Sequence, residues 1–245
     1  MCIRDSKEAI KKRIETPIFA PKVISIESFI EELSGLKKIS KSELVLLFFE
    51  TYKEIIPGKK QDQFDQYLGW AETILNEFSE IDANLVDSSS LFRALGDYKS
   101  LDFWNTDNVQ EKDIVKNFKD FNKTLPKLYQ KVHEILLDKE QAYSGLRYRE
   151  AVANLEYYFK ADQRHHFFIG FNALNKAEEF LFQEFLAKQR ATVLWDIDSC
   201  FYQDSDHPAG HFIRHYFKHW PVFKREKPLW ESQFEEDKNI HRIVF

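Results

Sequence analysis

Apolar residues recur at steps of three and four along most of the chain, and the departures cluster in its last third. A short basic amphipathic helix is predicted over residues 7–14, and a brief strand over 22–26 behind Pro21. Phe29, Ile30 and Leu33 then carry helical spacing over 27–33. Ser40 and Glu43 have capping-box spacing, and Leu44, Leu47, Phe48 and Ile55 follow on one face until Pro57-Gly58 ends the helix. Phe64, Leu68, Ala71, Leu75, Phe78 and Ile81 form the cleanest helical stripe. Asp87-Ser88-Ser89-Ser90 caps a short helix through Leu95 that Gly96 closes. A long helix over 113–137 carries Phe118, Phe121, Leu125, Leu128, Val132 and Ile135, with a kink or break expected at Pro126. Another covers 144–159 through Leu146, Val152, Leu155 and Phe159. Residues 40–160 read as a helical block without a strand.

The period then changes. His166-Phe167-Phe168-Ile169-Gly170-Phe171 and Ala191-Thr192-Val193-Leu194-Trp195-Asp196 are short continuous apolar runs, the mark of buried strands. A helix over 175–188 lies between them, with Ala177, Phe180, Leu181 and Phe185 inward. Strand, helix and strand with tight loops make a βαβ unit and a parallel sheet. A further helix spans 208–220 and stops before Pro221, and 240–245 reads as the start of another strand. The expected organisation is α/β over 7–39, a helical insertion over 40–160, and α/β again over 161–245. The first piece is too small for a core of its own and is expected to pack on the βαβ unit.

Composition adds constraints. The 245 residues are 43% hydrophobic and 31% charged, as in globular proteins, and only seven Gly and seven Pro favour helix over turns. Twenty-three Phe and ten Tyr serve core packing first and base stacking second. A net charge of −5 excludes a protein that coats nucleic acid, so any DNA contact must be a local patch. No run of eighteen apolar residues and no signal stretch occur, which leaves no membrane and a cytoplasmic location as expectations. Cys2 and Cys200 stand in unrelated contexts and support neither a disulfide framework nor a metal site. Residues 1–6 resemble a translated sequencing-adapter scar and are set aside as an artefact. Both ends look cut, so the chain is expected to be a fragment of a longer protein.

Ligands of open parallel sheets bind outside the carboxyl ends of the strands. Here those ends are Ile169-Gly170-Phe171-Asn172 and Trp195-Asp196-Ile197-Asp198-Ser199-Cys200-Phe201-Tyr202. The pair resembles the Walker B and following motif of UvrD-type helicases. That likeness implies a P-loop-helicase-like sheet, subdomain 1A, interrupted by an all-α insertion, subdomain 1B. Asp196 and Tyr202 match the second motif's first Asp and closing Tyr, Asp198 matches a common filler acid, and Ser199 stands at the glutamine. At the Walker B acids, which would bind Mg²⁺ and place the attacking water, this chain has Ile169 and Gly170. No G-x-x-x-x-G-K-[ST] loop occurs. Ser25-Ile26-Glu27-Ser28-Phe29 resembles the segment before the insertion.

Other wording resembles AddB-like proteins of the PD-(D/E)XK nuclease family. It comprises Gly170-Phe171-Asn172-Ala173-Leu174 through Glu178, Trp195 to Asp198, Gly210 to Arg214, and the run 143–150. This resemblance implies a non-motor, DNA-binding or scaffold region of a helicase–nuclease subunit acting on double-strand breaks. Its partners would be DNA and the ATP-driven helicase subunit of an AddAB-type complex. It also implies a nuclease domain further downstream with Mg as its cofactor. Within this chain no Asp…(Asp/Glu)-x-Lys set is found and no cofactor is expected. Ser28, Phe29, Arg147 and Arg149 are the candidate DNA contacts.

Each sharper reading has a plainer one beside it. Asp196 and Asp198 would suit a Mg²⁺-dependent α/β enzyme, but two acids make a weak site and a loop-capping role is preferred. His207, His211, His215 and His219 recur every four residues, a chelating spacing for Zn²⁺, yet a polar helix face is preferred. Gly170 reads as a bend at a strand end before a close approach to ligand. Positive charges over 7–13 and at Arg147 and Arg149 suit phosphate, or solvent. Tyr148, Tyr157 and Tyr158 suit packing before stacking. A purely structural protein–protein module is the remaining alternative.

Overall fold

A computed structural model describes residues 3–15, 19–58, 61–98 and 109–225. It is a helix-rich α/β structure with two small two-stranded parallel sheets. The chain divides into two compact units, Ile3–Tyr158 and a second running from Phe159.

The first unit contains α1 (Ile3–Arg13), α2 (Ile26–Ser34), α3 (Lys41–Ile55), α4 (Phe64–Ala83), α5 (Ser88–Tyr98), α6 (Val109–Asp138) and α7 (Ser144–Ala153). The capping box of α3 forms as its spacing predicts. The Glu43 amide donates to Ser40 Oγ, and the Ser40 amide donates back to the Glu43 carboxylate. Phe48, Tyr67, Ala71, Phe78, Leu128, Val132, Leu136 and Leu146 are buried in one cluster. Burying a side chain of Phe or Leu size stabilises by about 1.5–3 kcal/mol before ordering costs, so this cluster dominates the unit. Tyr67 is fully buried, and its hydroxyl donates to the Val45 carbonyl at 2.8 Å, which removes the penalty of an unpaired hydroxyl.

Several local expectations are corrected. The strand expected over 22–26 does not form. Ser25 caps α2 instead, accepting the Ser28 amide at 3.2 Å, so the chain is committed to helix by Ile26. The strand-free block does contain one strand, β2 (Gln141–Ala142), which pairs in parallel with β1 (Lys37–Lys38). Two-residue strands have no period to read. Gly96 does not close α5, since a lone Gly costs a helix only about 1 kcal/mol. Pro126 lies inside α6 without ending it, because buried Leu125, Leu128 and Val132 continue the packed stripe across it. The helix expected over 144–159 is two, α7 and α8 (Leu155–Ala161), parted at Asn154, whose amide side chain donates to the Ser34 carbonyl at 3.2 Å.

Residues 26–39 build into this helical unit. α2 packs on α7, and β1 joins β2. The apolar side of α2, with Phe29, Ile30 and Leu33 buried, is therefore covered locally.

The second unit is the βαβ unit. β3 (His166–Ile169) and β4 (Ala191–Leu194) pair in parallel in the register His166↔Ala191 to Ile169↔Leu194, joined by α9 (Lys176–Ala187). Phe168 stacks on Phe182 of α9 at 4.0 Å between centroids and meets Phe185 edge-on. The opposite sheet face is open: Phe167, Ile169 and Leu194 are 62%, 47% and 48% exposed. The expected helix over 208–220 is a 3₁₀ turn, Pro208–Gly210, followed by α11 (His211–His219). A short α10 (Ser199–Gln203), not foreseen, precedes them. Residues 226–245, including the strand expected at 240–245, lie outside the described residues. No helix among the described residues is long and apolar enough to cross a membrane.

Candidate functional site

The carboxyl ends of β3 and β4 form the candidate site. β3 ends at half-exposed Ile169, and Gly170 follows with φ 81°, a left-handed conformation that an L side chain adopts with strain. That turn leads to Asn175, which caps α9: the Glu178 amide donates to Asn175 Oδ1 at 2.8 Å, and the Asn175 amide donates back to the Glu178 carboxylate at 3.0 Å. The Gly-Phe-Asn-Ala-Leu wording and its Glu therefore have a structural use as bend, loop and capping box.

Beyond β4 the strand pairing stops and Trp195 begins an irregular segment. Asp196 is exposed. Asp198 caps α10, its Oδ1 accepting the Cys200 amide at 3.0 Å. Ser199 is buried, and Tyr202 is half-buried with its ring edge-on to Phe217. Burial pushes the Tyr202 hydroxyl pKa up, while Arg214 draws it down less. Among the described residues no group of three or more His, Cys, Asp or Glu is placed to hold a metal ion.

Aromatic residues of α11 stand against these strand ends. Tyr216 stacks on Trp195 at 5.3 Å and on Trp220 at 4.7 Å, and its hydroxyl accepts the Leu174 amide of the β3 loop at 2.9 Å. The indole N–H groups of Trp195 and Trp220 are buried without a hydrogen-bond partner among the described residues. Arg214 of the same helix donates to the carbonyls of Phe201 (2.6 Å), His207 (2.7 Å) and Ser205 (3.2 Å). A Cβ on Gly210 would lie 2.1 Å from that guanidinium and 2.4 Å from the Phe201 oxygen. Gly210 and Arg214 thus act together as a clamp on the 201–207 segment, from the end of α10 to His207.

The candidate DNA contacts lie in the other unit. Phe29 is buried, edge-on to Tyr158 at 5.8 Å, and Ser28 is exposed. Arg147 is buried, and its Nη2 donates to the Glu27 carbonyl and the Glu31 carboxylate. Arg149 donates to Asp82 at 2.6 Å and to the Ile81 and Val86 carbonyls. Both guanidinium groups are engaged within the protein. α1 carries a run of exposed basic residues, Lys7, Lys11, Lys12 and Arg13.

Asp82 was not singled out from the sequence. It is fully buried, and it accepts hydrogen bonds from the Tyr129 hydroxyl, from Tyr143 at 2.5 Å and from Arg149, with His133 Nε2 at 2.9 Å. Burial pushes its carboxyl pKa up, but His133, Tyr129 and Tyr143 together outweigh burial and hold it below the ordinary value. A usable signal was available: Asp82 adjoins Ile81 at the end of an apolar stripe that otherwise faces the core. Beside this knot, Ser88, Ser89, Phe92, Arg93, Pro126, Tyr129 and Gln130 line a cleft of about 230 Å³, smaller than most sites for organic ligands. No family model, curated protein or solved structure matches the chain.

Proposed function

We propose that this chain is a non-motor, helicase-like region of a DNA-repair helicase–nuclease subunit of the AddB-like kind, acting as scaffold and DNA-binding surface in double-strand-break processing. The parallel β3–α9–β4 unit carries the reading. At the ends where a motor needs carboxylates and a bound phosphate, this unit presents Ile169 and Gly170, with Asp198 capping a helix and Trp195, Tyr216 and Trp220 packed beside them. The P-loop-like sheet with its helical insertion, the ATP-driven partner subunit and a downstream Mg²⁺-dependent nuclease belong to the same proposal.

DNA contact is assigned to α1, whose Lys7, Lys11, Lys12 and Arg13 are exposed, rather than to the internally bonded Arg147 and Arg149. The test is binding of a labelled single strand at low and at physiological salt, together with Mg·ATP hydrolysis. Binding that weakens as salt rises, with no ATP turnover, supports the proposal. DNA-stimulated hydrolysis abolished by Asp198→Ala contradicts it.

A purely structural protein–protein module is the second reading. The internal engagement of Phe29, Arg147 and Arg149 and the open apolar face of β3–β4 favour it. The absence of any DNA binding at low salt selects it.

A further inference from the structure

We infer that α11 carries a two-histidine chelate for a divalent transition metal, formed by His215 and His219. His211, His215 and His219 follow at four-residue intervals and are all exposed, while Ile213, Tyr216 and Trp220 face inward. His207 leaves the series: it precedes the helix, its ring stacks on Phe201, and its Nδ1 accepts the Ala209 amide.

Two observations single out the last pair. The rings of His215 and His219 stand 4.2 Å apart between centroids, tilted by 33°. Imidazole nitrogens sharing a tetrahedral zinc at about 2.0–2.1 Å each are separated by about 3.3 Å, and the two adjacent rings lie within reach of one such ion. His219 Nδ1 also lies 2.8 Å from the His215 carbonyl oxygen. A carbonyl only accepts, so Nδ1 carries a proton and Nε2 is the nitrogen left for a metal. This is the backbone bond that commonly orients a metal-binding imidazole.

Glu179 is held by Lys176 at 2.9 Å and contributes negative potential beside the pair. Two imidazoles with open positions suit Zn²⁺ or Cu²⁺, whose remaining sites water fills, and do not suit Mg²⁺ or Ca²⁺, which take oxygen ligands. The bound ion would pin one turn of α11, the helix whose inner face closes the strand ends.

The test is calorimetric titration of Zn²⁺ into the full chain, with thermal unfolding as a second readout. One zinc per chain is expected, with an affinity that rises as pH increases through the histidine range, because protons compete for the lone pairs. His215→Ala and His219→Ala should each weaken binding by roughly tenfold or more and remove the zinc-dependent rise in Tm, whereas His211→Ala should change little. Both key variants lie on the exposed face, and circular dichroism checks that they fold. Unchanged affinity in either variant, or no zinc binding to the wild-type chain, overturns the inference. Neither outcome touches the DNA contact assigned to α1, which lies in the other unit.

Discussion

Asp82 has no exposed surface, and its carboxylate is held by Tyr129, Tyr143, His133 and Arg149, which come from α6, the segment preceding α7, and α7 itself. Removing that charge leaves the partly buried Arg149 guanidinium uncompensated, so Asp82→Asn should cost about 3 kcal/mol, read from the urea midpoint. The acid limb tests the same group. A folded pKa below the unfolded value stabilises fully above the unfolded value, about 3.9, and that stability is lost as pH falls through the folded value. The wild type should therefore lose stability below about pH 4 more steeply than Asp82→Asn. An equal slope would contradict the account. Gly145 gives a second residue-level prediction. A Cβ there would stand 1.9 Å from the Ser79 backbone oxygen, and the Gly145 amide already donates to Ser79 Oγ at 3.0 Å. Gly145→Ala should force α4 and α7 apart and cost about 3 kcal/mol, at the upper end for overpacking, in the same assay. Neither role was legible beforehand. The sequence marks Gly145 and Arg147 as part of a distinctive run, but only the pairing of α4 with α7 reveals what that run touches.

Elements with a sustained period were legible. The stripe from Phe64 to Ile81 became α4, and the two apolar runs became β3 and β4 in parallel. What failed was local competition that periodicity does not report. Ser25 converted an expected strand into a helix cap, Asn154 split a helix, and the two-residue β1–β2 pair depends on partners about a hundred residues apart. The clamp on the 201–207 segment is likewise a matter of reach across elements. Arg214→Lys keeps the charge but cannot fork to three carbonyls, so it should destabilise by about 2 kcal/mol, and urea unfolding followed by tryptophan fluorescence would register the loss. A midpoint equal to wild type would reduce Arg214 to a surface charge.

Across the whole molecule, the features that suggested chemistry are mostly occupied with structure. Glu178, Asp198, Gly210 and Arg214 cap, bend or clamp, and Arg147 and Arg149 are bonded internally. Such uses are not separable from ligand contacts by residue type and spacing, because capping acids and catalytic acids occupy the same strand-end positions. Exposed positive charge on α1 is what the DNA proposal stands on. The direct measurement is fluorescence anisotropy of a labelled single strand against the full chain at increasing salt, with Lys11→Glu/Lys12→Glu as the comparison. The account predicts wild-type binding at low salt that falls with the logarithm of salt concentration. Its slope should be shallower by about 0.7 for each phosphate contact the charge reversal removes. No binding at low salt, or identical binding by wild type and charge-reversed chain, would contradict it.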